Sequence, residues 1–196
     1  MNNHNILTQR FDDACAYARY VHRDQVRKGT DIPYISHLLG VASLVLEAGG
    51  DEDQVIAALL HDTAEDHGGQ ARLDDIEKRF GKRVADIVVG CSDTLENPKP
   101  SWRTRKEKYL DHLKTANKDV RKVSLADKLH NARTILLDLR AKGEKTWERF
   151  AGKKDGTLWY YHGLVEVFQA GEPSPQVDEL ARVVGQIERL AGDDRL

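Results

Sequence analysis

Apolar residues recur at intervals of three and four along nearly the whole chain, and strand-like alternation between turn signals is missing. The pattern predicts an all-α bundle of roughly eight to ten helices. A first helix over residues 6–25 carries Phe11, Cys15, Ala18 and Val21 on one stripe. A loop with Gly29 and Pro33 follows, and Ser36 is placed to cap a second helix that runs to residue 47, ahead of Gly49 and Gly50. Asp51, with Gln54 in capping-box register, starts a third helix that closes at Gly68-Gly69. Shorter helices over 73–80 and 82–92 are split at Gly81, and the loop DTLENPKP leads into one over 102–115. A long helix over 118–141 carries Val120, Val123, Leu125, Leu129, Ala132, Leu136 and Leu139, and two more span 157–170 and 175–191. The last has Val177, Leu180, Val184, Ile187 and Ala191 on one face, which needs cover from the body of the protein or from a sister subunit.

At 196 residues the length fits one domain able to hold a cleft, with its motifs within about 10–140 and its C-terminal helices over about 157–191. Thirty Lys and Arg nearly balance 32 Asp and Glu, which argues against nucleic-acid or membrane partners held by bulk charge. The start MNNHNILTQR lacks the blocks of a signal peptide, and no apolar run approaches the roughly 20 residues of a membrane span. A soluble cytoplasmic protein is expected. Cys15 and Cys91 lie far apart within apolar helical patterns and read as small core residues.

The stretch ALLHDTAEDHGG places His61, Asp62, Glu65, Asp66 and His67 directly after an apolar lead-in from Val55 to Leu60. On a continuous helix His61 and Glu65 would share one face, as would Asp62 and Asp66. If the helix enters the core, unpaired charges at its end are costly, and a divalent cation relieves that cost; imidazole with carboxylate suits manganese, iron, zinc or another first-row ion. A solvated helix end fits this stretch alone equally well. Two more segments shift the balance: His37 opens an apolar helix in PYISHLLGVA, and Asp127 lies among Leu125, Ala126 and Leu129 in SLADKLHNARTILL. Singly, His37 reads as a cap and Asp127 as paired with Lys128 or an arginine. Four ligand-type residues at helix ends or on apolar helices are hard to place without a shared ion.

The order His37, His61-Asp62, Asp127 resembles the HD-domain metal-dependent phosphohydrolases, an all-α family that gathers these side chains in a metal cleft. VRKGTDIPYISHLLGVA, AALLHDTAEDHGG and SLADKLHNARTI are similar to the hydrolase domain of the RelA/SpoT homologues, and most of all to the stand-alone small alarmone hydrolases. The resemblance implies one manganese ion on His37, His61, Asp62 and Asp127, with Glu65 and Asp66 as the acidic pair that activates the attacking water. It also implies substrate contacts from Arg27 and Lys28, and from Asn131 and Thr134, which follow Asp127 by four and seven residues.

The activity so implied is removal of the 3′-pyrophosphate from (p)ppGpp or (p)ppApp, with a small-molecule nucleotide as partner. Such an ion lowers the pKa of its water and polarises a phosphoryl oxygen, while a carboxylate takes the proton. Alternatives are a broader HD-type nucleotide phosphohydrolase such as an NADPH phosphatase, an inactive nucleotide sensor, or a metal-free helical interaction module. The basic stretch KPSWRTRKEK could neutralise a distal pyrophosphate or be a solvated helix, and the rings of WERFAGKKDGTLWYY are expected to pack. His67 reads as a loop histidine and His130 as a structural one.

Overall fold

The computed structural model describes residues 7–94, 96 and 98–192; Ile6 of the expected first helix and Leu95 and Asn97 of the expected loop lie outside them. The helices are α1 (Gln9–Val21), α2 (Ile35–Glu47), α3 (Glu52–Leu60), α4 (Thr63–Asp66), α5 (Gly69–Phe80), α6 (Lys82–Cys91), α7 (Trp102–Thr115), α8 (Lys118–Lys142), α9 (Lys153–Gln169) and α10 (Pro175–Gly192), with a 3-10 helix over Gly143–Arg149. Among the described residues there is no strand, only an isolated bridge between Val26 and Pro33. Among the described residues no helix is long and apolar enough to cross a membrane.

The chain forms two compact units, one of Met1–Lys99 with Ala116–Asp127 and the other of Pro100–Thr115 with Lys128–Leu196. The first is built around α3, which packs on α1, α2 and α6. Val55 through Leu60 are all fully buried, so after its acidic first turn the helix is apolar on every side and has no solvent face. Burying each of Ile56, Leu59 and Leu60 contributes about 1.5–3 kcal/mol. Its start is the expected capping box, with Asp51 accepting from Gln54 N at 3.1 Å and Gln54 Oε1 accepting from Asp51 N at 3.0 Å. Gln54 also donates to Asp119 at 2.7 Å, and Arg83 reaches Asp51 at 2.8 Å and Asp119 at 2.9 Å. The first turns of α3, α6 and α8 are therefore tied together, which fixes the helix that ends at His61 and the helix that carries Asp127 two turns further on. Gly90 on α6 lets α8 come close: a Cβ there would press on Val120 Cγ2 and lie 3.0 Å from Cγ1.

Several boundaries differ from the sequence pattern. The first helix stops at Val21, because the chain turns at His22 and Gln25 N bonds His22 O at 3.1 Å. The second begins after Tyr34 with no side-chain cap, so Ser36 lies inside α2; the turn bonds Ser36 N to Pro33 O and His37 N to Tyr34 O supply its first-turn partners. The third breaks after Leu60, leaving His61 and Asp62 in a turn ahead of the one-turn α4. α5 begins at Gly69 rather than residue 73, following Gly68 at φ 114°, a backbone that glycine adopts without strain. Cys91 is buried as expected, while Cys15 is only half-buried.

In the second unit α9 packs on α7, α10 and the 3-10 helix. The apolar face of α10 is buried within this chain, with Val177, Leu180, Val184, Ile187 and Ala191 each at most 5% exposed. Trp147, Tyr160 and Tyr161 are buried too, in keeping with packing roles. Arg103 lies over the Trp159 ring and Lys106 over Tyr160, so part of the basic stretch is spent on aromatic faces.

Candidate metal centre

Three separate stretches of the first unit meet at one point. α2 brings His37, the turn after α3 brings His61 and Asp62, and α8 brings Asp127; both imidazoles and Asp127 are buried. Ligand atoms of His37, His61 and Asp127 all lie within 4.8 Å of one another. His37 Nε2 is 3.2 Å from Asp127 Oδ1 and 3.8 Å from Asp62 Oδ2, while His61 Nε2 is 3.0 Å from Asp62 Oδ2 and 3.7 Å from Asp127 Oδ1. Atoms about 2.1 Å from a shared ion would be about 3 Å apart when adjacent and about 4 Å across it, so the spacings fit a divalent cation.

The chemistry of the donors agrees. His61 Nδ1 lies 2.8 Å from the Ala58 carbonyl, which can only accept, so Nδ1 carries the proton and Nε2 presents its lone pair to the cluster. That buried Nε2 has no hydrogen bond of acceptable geometry despite the nearby carboxylates. Without a cation the site must take up protons. Burial lowers the His61 pKa, but the carboxylates of Asp62 and Asp127 close to Nε2 outweigh it and raise the pKa well above its ordinary value. His37 moves the other way, because burial dominates over its bond to Asp127 and it faces His61, so only one imidazole is readily charged. Burial works against the Asp62 carboxylate, yet His61 beside it holds its pKa low.

Around this cluster lies a second layer of polar groups. Tyr34 OH donates to Asp62 Oδ2; burial and the facing carboxylate raise the phenol pKa far out of reach, so it remains a donor. Arg27 lies over the Tyr34 ring at 5.6 Å, on a loop closed by Arg27 N to Ile32 O and Tyr34 N to Gln25 O. Lys28 is exposed on the same loop. Glu65 accepts from Asp93 N at 2.8 Å and from Lys99 Nζ at 3.1 Å. Asp66 accepts from Gln25 Nε2 at 2.8 Å, and its pKa is raised by desolvation and by the Asp62 and Glu65 charges. Asn131 and Thr134 lie on the part of α8 that belongs to the second unit, where the Thr134 hydroxyl donates to His130 O at 3.0 Å.

Sequence reasoning missed His22, Gln25, Tyr34 and Thr63, and passed over His67. His67 Nε2 is 2.7 Å from Gln25 Oε1, and its ring meets His22 edge-on at 4.8 Å. The available signal was chemical: a histidine and a glutamine three apart just before a basic pair, and a tyrosine three before His37. The two helices drawn as continuous through residues 25 and 67 hid it.

The sequence profile described as the HD domain matches residues 14–157, most of the chain. The chain belongs to the HD-domain family. Among its relatives, the guanosine-3′,5′-bis(diphosphate) 3′-pyrophosphohydrolase MESH1 of Xenopus tropicalis is 37% identical over 126 residues, covering 63% of this HD-domain chain and 68% of that protein. The solved structure of a metazoan ortholog of SpoT that hydrolyzes ppGpp superposes with a TM-score of 0.76 at 25% identity, over 93% of this chain and 97% of that one. Lmo0812 from Listeria monocytogenes EGD-e has a TM-score of 0.70 at 33% identity, over 78% of this chain and 99% of its own. The HD-domain assignment covers all four clustered residues, since His37, His61, Asp62 and Asp127 fall inside the matched span.

Proposed function

We propose that this HD-domain protein is a manganese-dependent alarmone hydrolase of the cytoplasm that removes the 3′-pyrophosphate from (p)ppGpp or a close analogue. The observation that carries the reading is the convergence of two imidazoles and two carboxylates from three stretches of chain, at spacings suited to one ion. The relatives that share the matched region support it, because they include proteins named for that reaction on ppGpp.

In this reading His37, His61, Asp62 and Asp127 hold the cation. Bound there, the ion would supply Lewis acidity, making a water more acidic and, by polarising a phosphoryl oxygen, the phosphorus more electrophilic. The other steps belong to side chains. Tyr34 holds Asp62 by its hydroxyl, and Ala58 O holds the His61 ring in the tautomer that offers Nε2. Asp66, with its raised pKa, takes the proton of the attacking water, while Glu65 is held in place by Lys99 and Asp93 N. Arg27 and Lys28 meet substrate on the loop beside the cluster, Lys28 as a point charge on phosphate and Arg27 as a planar cation able to stack. Water adds to the phosphorus bonded to the 3′-oxygen, that P–O bond breaks, and the 3′-oxygen leaves with a proton. The products are a nucleoside 5′-diphosphate, or triphosphate from the longer substrate, and pyrophosphate.

The test is to incubate the protein with manganese and, separately, ppGpp, pppGpp, ppApp and NADPH, and to separate products by anion exchange. Release of pyrophosphate from one of the alarmones is expected. Inorganic phosphate from NADPH with no alarmone turnover would replace this reading with a phosphatase, and no product from any of the four would remove it.

A further inference from the structure

Gln25, His22 and His67 form a bonded group outside the metal cluster that ends on the proposed base. Gln25 Nε2 lies 2.8 Å from Asp66 Oδ2, and an ionised carboxylate can only accept, so this end of the amide donates. Its Oε1 therefore faces the other way, where it meets His22 Nδ1 at 2.6 Å and His67 Nε2 at 2.7 Å. An amide oxygen has no proton, so both imidazoles donate to it. His22 is then the Nδ1–H tautomer, and its Nε2 is left to accept from the Thr63 hydroxyl 3.3 Å away. Burial lowers the His22 pKa, which keeps that ring neutral. His67 is pinned from behind, since its carbonyl accepts from Arg72 Nε at 2.9 Å and its N–H bonds Thr63 O at 3.0 Å. His22 is 2% exposed and stacks on Tyr34 at 5.2 Å.

The direction of every bond is thus set. Flipping the Gln25 amide would turn its oxygen onto the Asp66 carboxylate and its NH2 onto two imidazole N–H groups, breaking three bonds at once. Asp66 is exposed at the end of the one-turn α4, and nothing in a single helical turn fixes its χ angles.

We propose that Gln25, locked by His22 and His67, is the positioning residue that aims the Asp66 carboxylate for proton abstraction. The inference rests on the hydrolase reading for Asp66. Gln25 touches no reacting atom; it acts by cutting the orientations open to the base, which is the kind of restraint whose loss costs up to about 100-fold in rate.

The test uses Gln25→Met, His67→Phe and His67→Gln in the full chain with manganese. Gln25→Met is expected to lower kcat on the alarmone by roughly 10- to 100-fold with KM and bound manganese unchanged. His67→Phe keeps a ring against His22 but loses the donor, and is expected to lower kcat roughly fivefold, the equivalent of one hydrogen bond. His67→Gln restores an N–H and should recover most of that loss, which a merely structural role for the ring would not produce. Nitrogen NMR of the imidazoles gives a readout free of turnover: wild-type His22 should be protonated at Nδ1, and Gln25→Met should release it toward the Nε2–H form that neutral imidazole favours in water. Wild-type kcat in Gln25→Met, loss of manganese with the loss of rate, equal defects in the two His67 variants, or His22 as the Nε2–H tautomer in wild type would each overturn the proposal. A wild-type protein that turns over no alarmone would instead refute the hydrolase reading, and the spectra would still decide the bond chain.

Discussion

Gly90 and Gly185 both lie inside helices, so an alanine at either gains about 0.5–1 kcal/mol of helix propensity. Their surroundings separate them. At Gly185 on α10 an added Cβ meets nothing closer than Arg189 Nη1 at 3.7 Å, an ordinary contact with the mobile end of a side chain. At Gly90 on α6 it presses on Val120 Cγ2 and comes within 3.0 Å of Cγ1 and 3.3 Å of Cβ. Val120 is β-branched and nearly confined to one χ1 well in a helix, so it cannot swing aside and α8 must shift. Overpacking of this kind costs about 1–3 kcal/mol, which outweighs the propensity gain by about 1 kcal/mol. Gly185→Ala should raise the melting temperature by about 2–4 °C and Gly90→Ala lower it by a similar amount. Asp127 follows Val120 by seven residues on the same face of α8, about 10 Å along the axis, so the displacement reaches the candidate metal cluster. Manganese affinity should therefore fall in Gly90→Ala and stay at the wild-type value in Gly185→Ala. Thermal unfolding of the metal-free proteins, with manganese titration of each, measures both. Equal stabilisation by the two substitutions would refute the packing argument, and a destabilised Gly90→Ala with full affinity would refute its link to Asp127.

Tyr34→Phe keeps the stack on His22 but removes the hydroxyl from Asp62, and manganese affinity should drop roughly 10- to 100-fold; an unchanged titration would show that the bond does not orient the ligand. Glu65→Ala should retain bound manganese while turnover falls by roughly 10²–10⁴-fold, whereas loss of the metal would make Glu65 part of the cation site. The raised His61 pKa sets a pH dependence. In the metal-free protein its proton adds stability that is fully present below the unfolded value of about 6.5 and is lost as pH rises through the higher folded value. A cation must displace that proton, so binding should strengthen as pH rises through this window and release a proton near pH 7. Calorimetry in buffers of different ionisation enthalpy reads the release directly, and binding heats independent of buffer would count against it.

The helices were legible wherever burial follows from local pattern. Leu129, Leu136 and Leu139 mark α8, and Asp51 with Gln54 marks the start of α3, because capping and amphipathicity depend on neighbours in sequence. The clustering of His37, His61, Asp62 and Asp127 was legible for a related reason: a histidine or aspartate on an apolar helix needs a partner, and that need is written in the residue type. The support around it was not. His61 and Asp62 sit in a break after α3 that no Gly or Pro announces, so one helix continuous from Leu60 does not describe the stretch, although Asp66 N still bonds Asp62 O at 2.9 Å within the next turn. Gln25 looked like the last turn of a helix, yet it bonds residues 41 and 42 positions away. Lys99 reaches Glu65 across 34 positions by a contact that its own surroundings in sequence do not foretell.

The claim beneath the account is that His37, His61, Asp62 and Asp127 share one divalent cation. Crystals grown with manganese and measured at its absorption edge test this most directly. One anomalous peak is expected, at bonding distance from His37 Nε2, His61 Nε2 and an oxygen of each carboxylate. A crystal that keeps these four side chains in place but shows no peak among them, or shows manganese elsewhere in the protein, would contradict it.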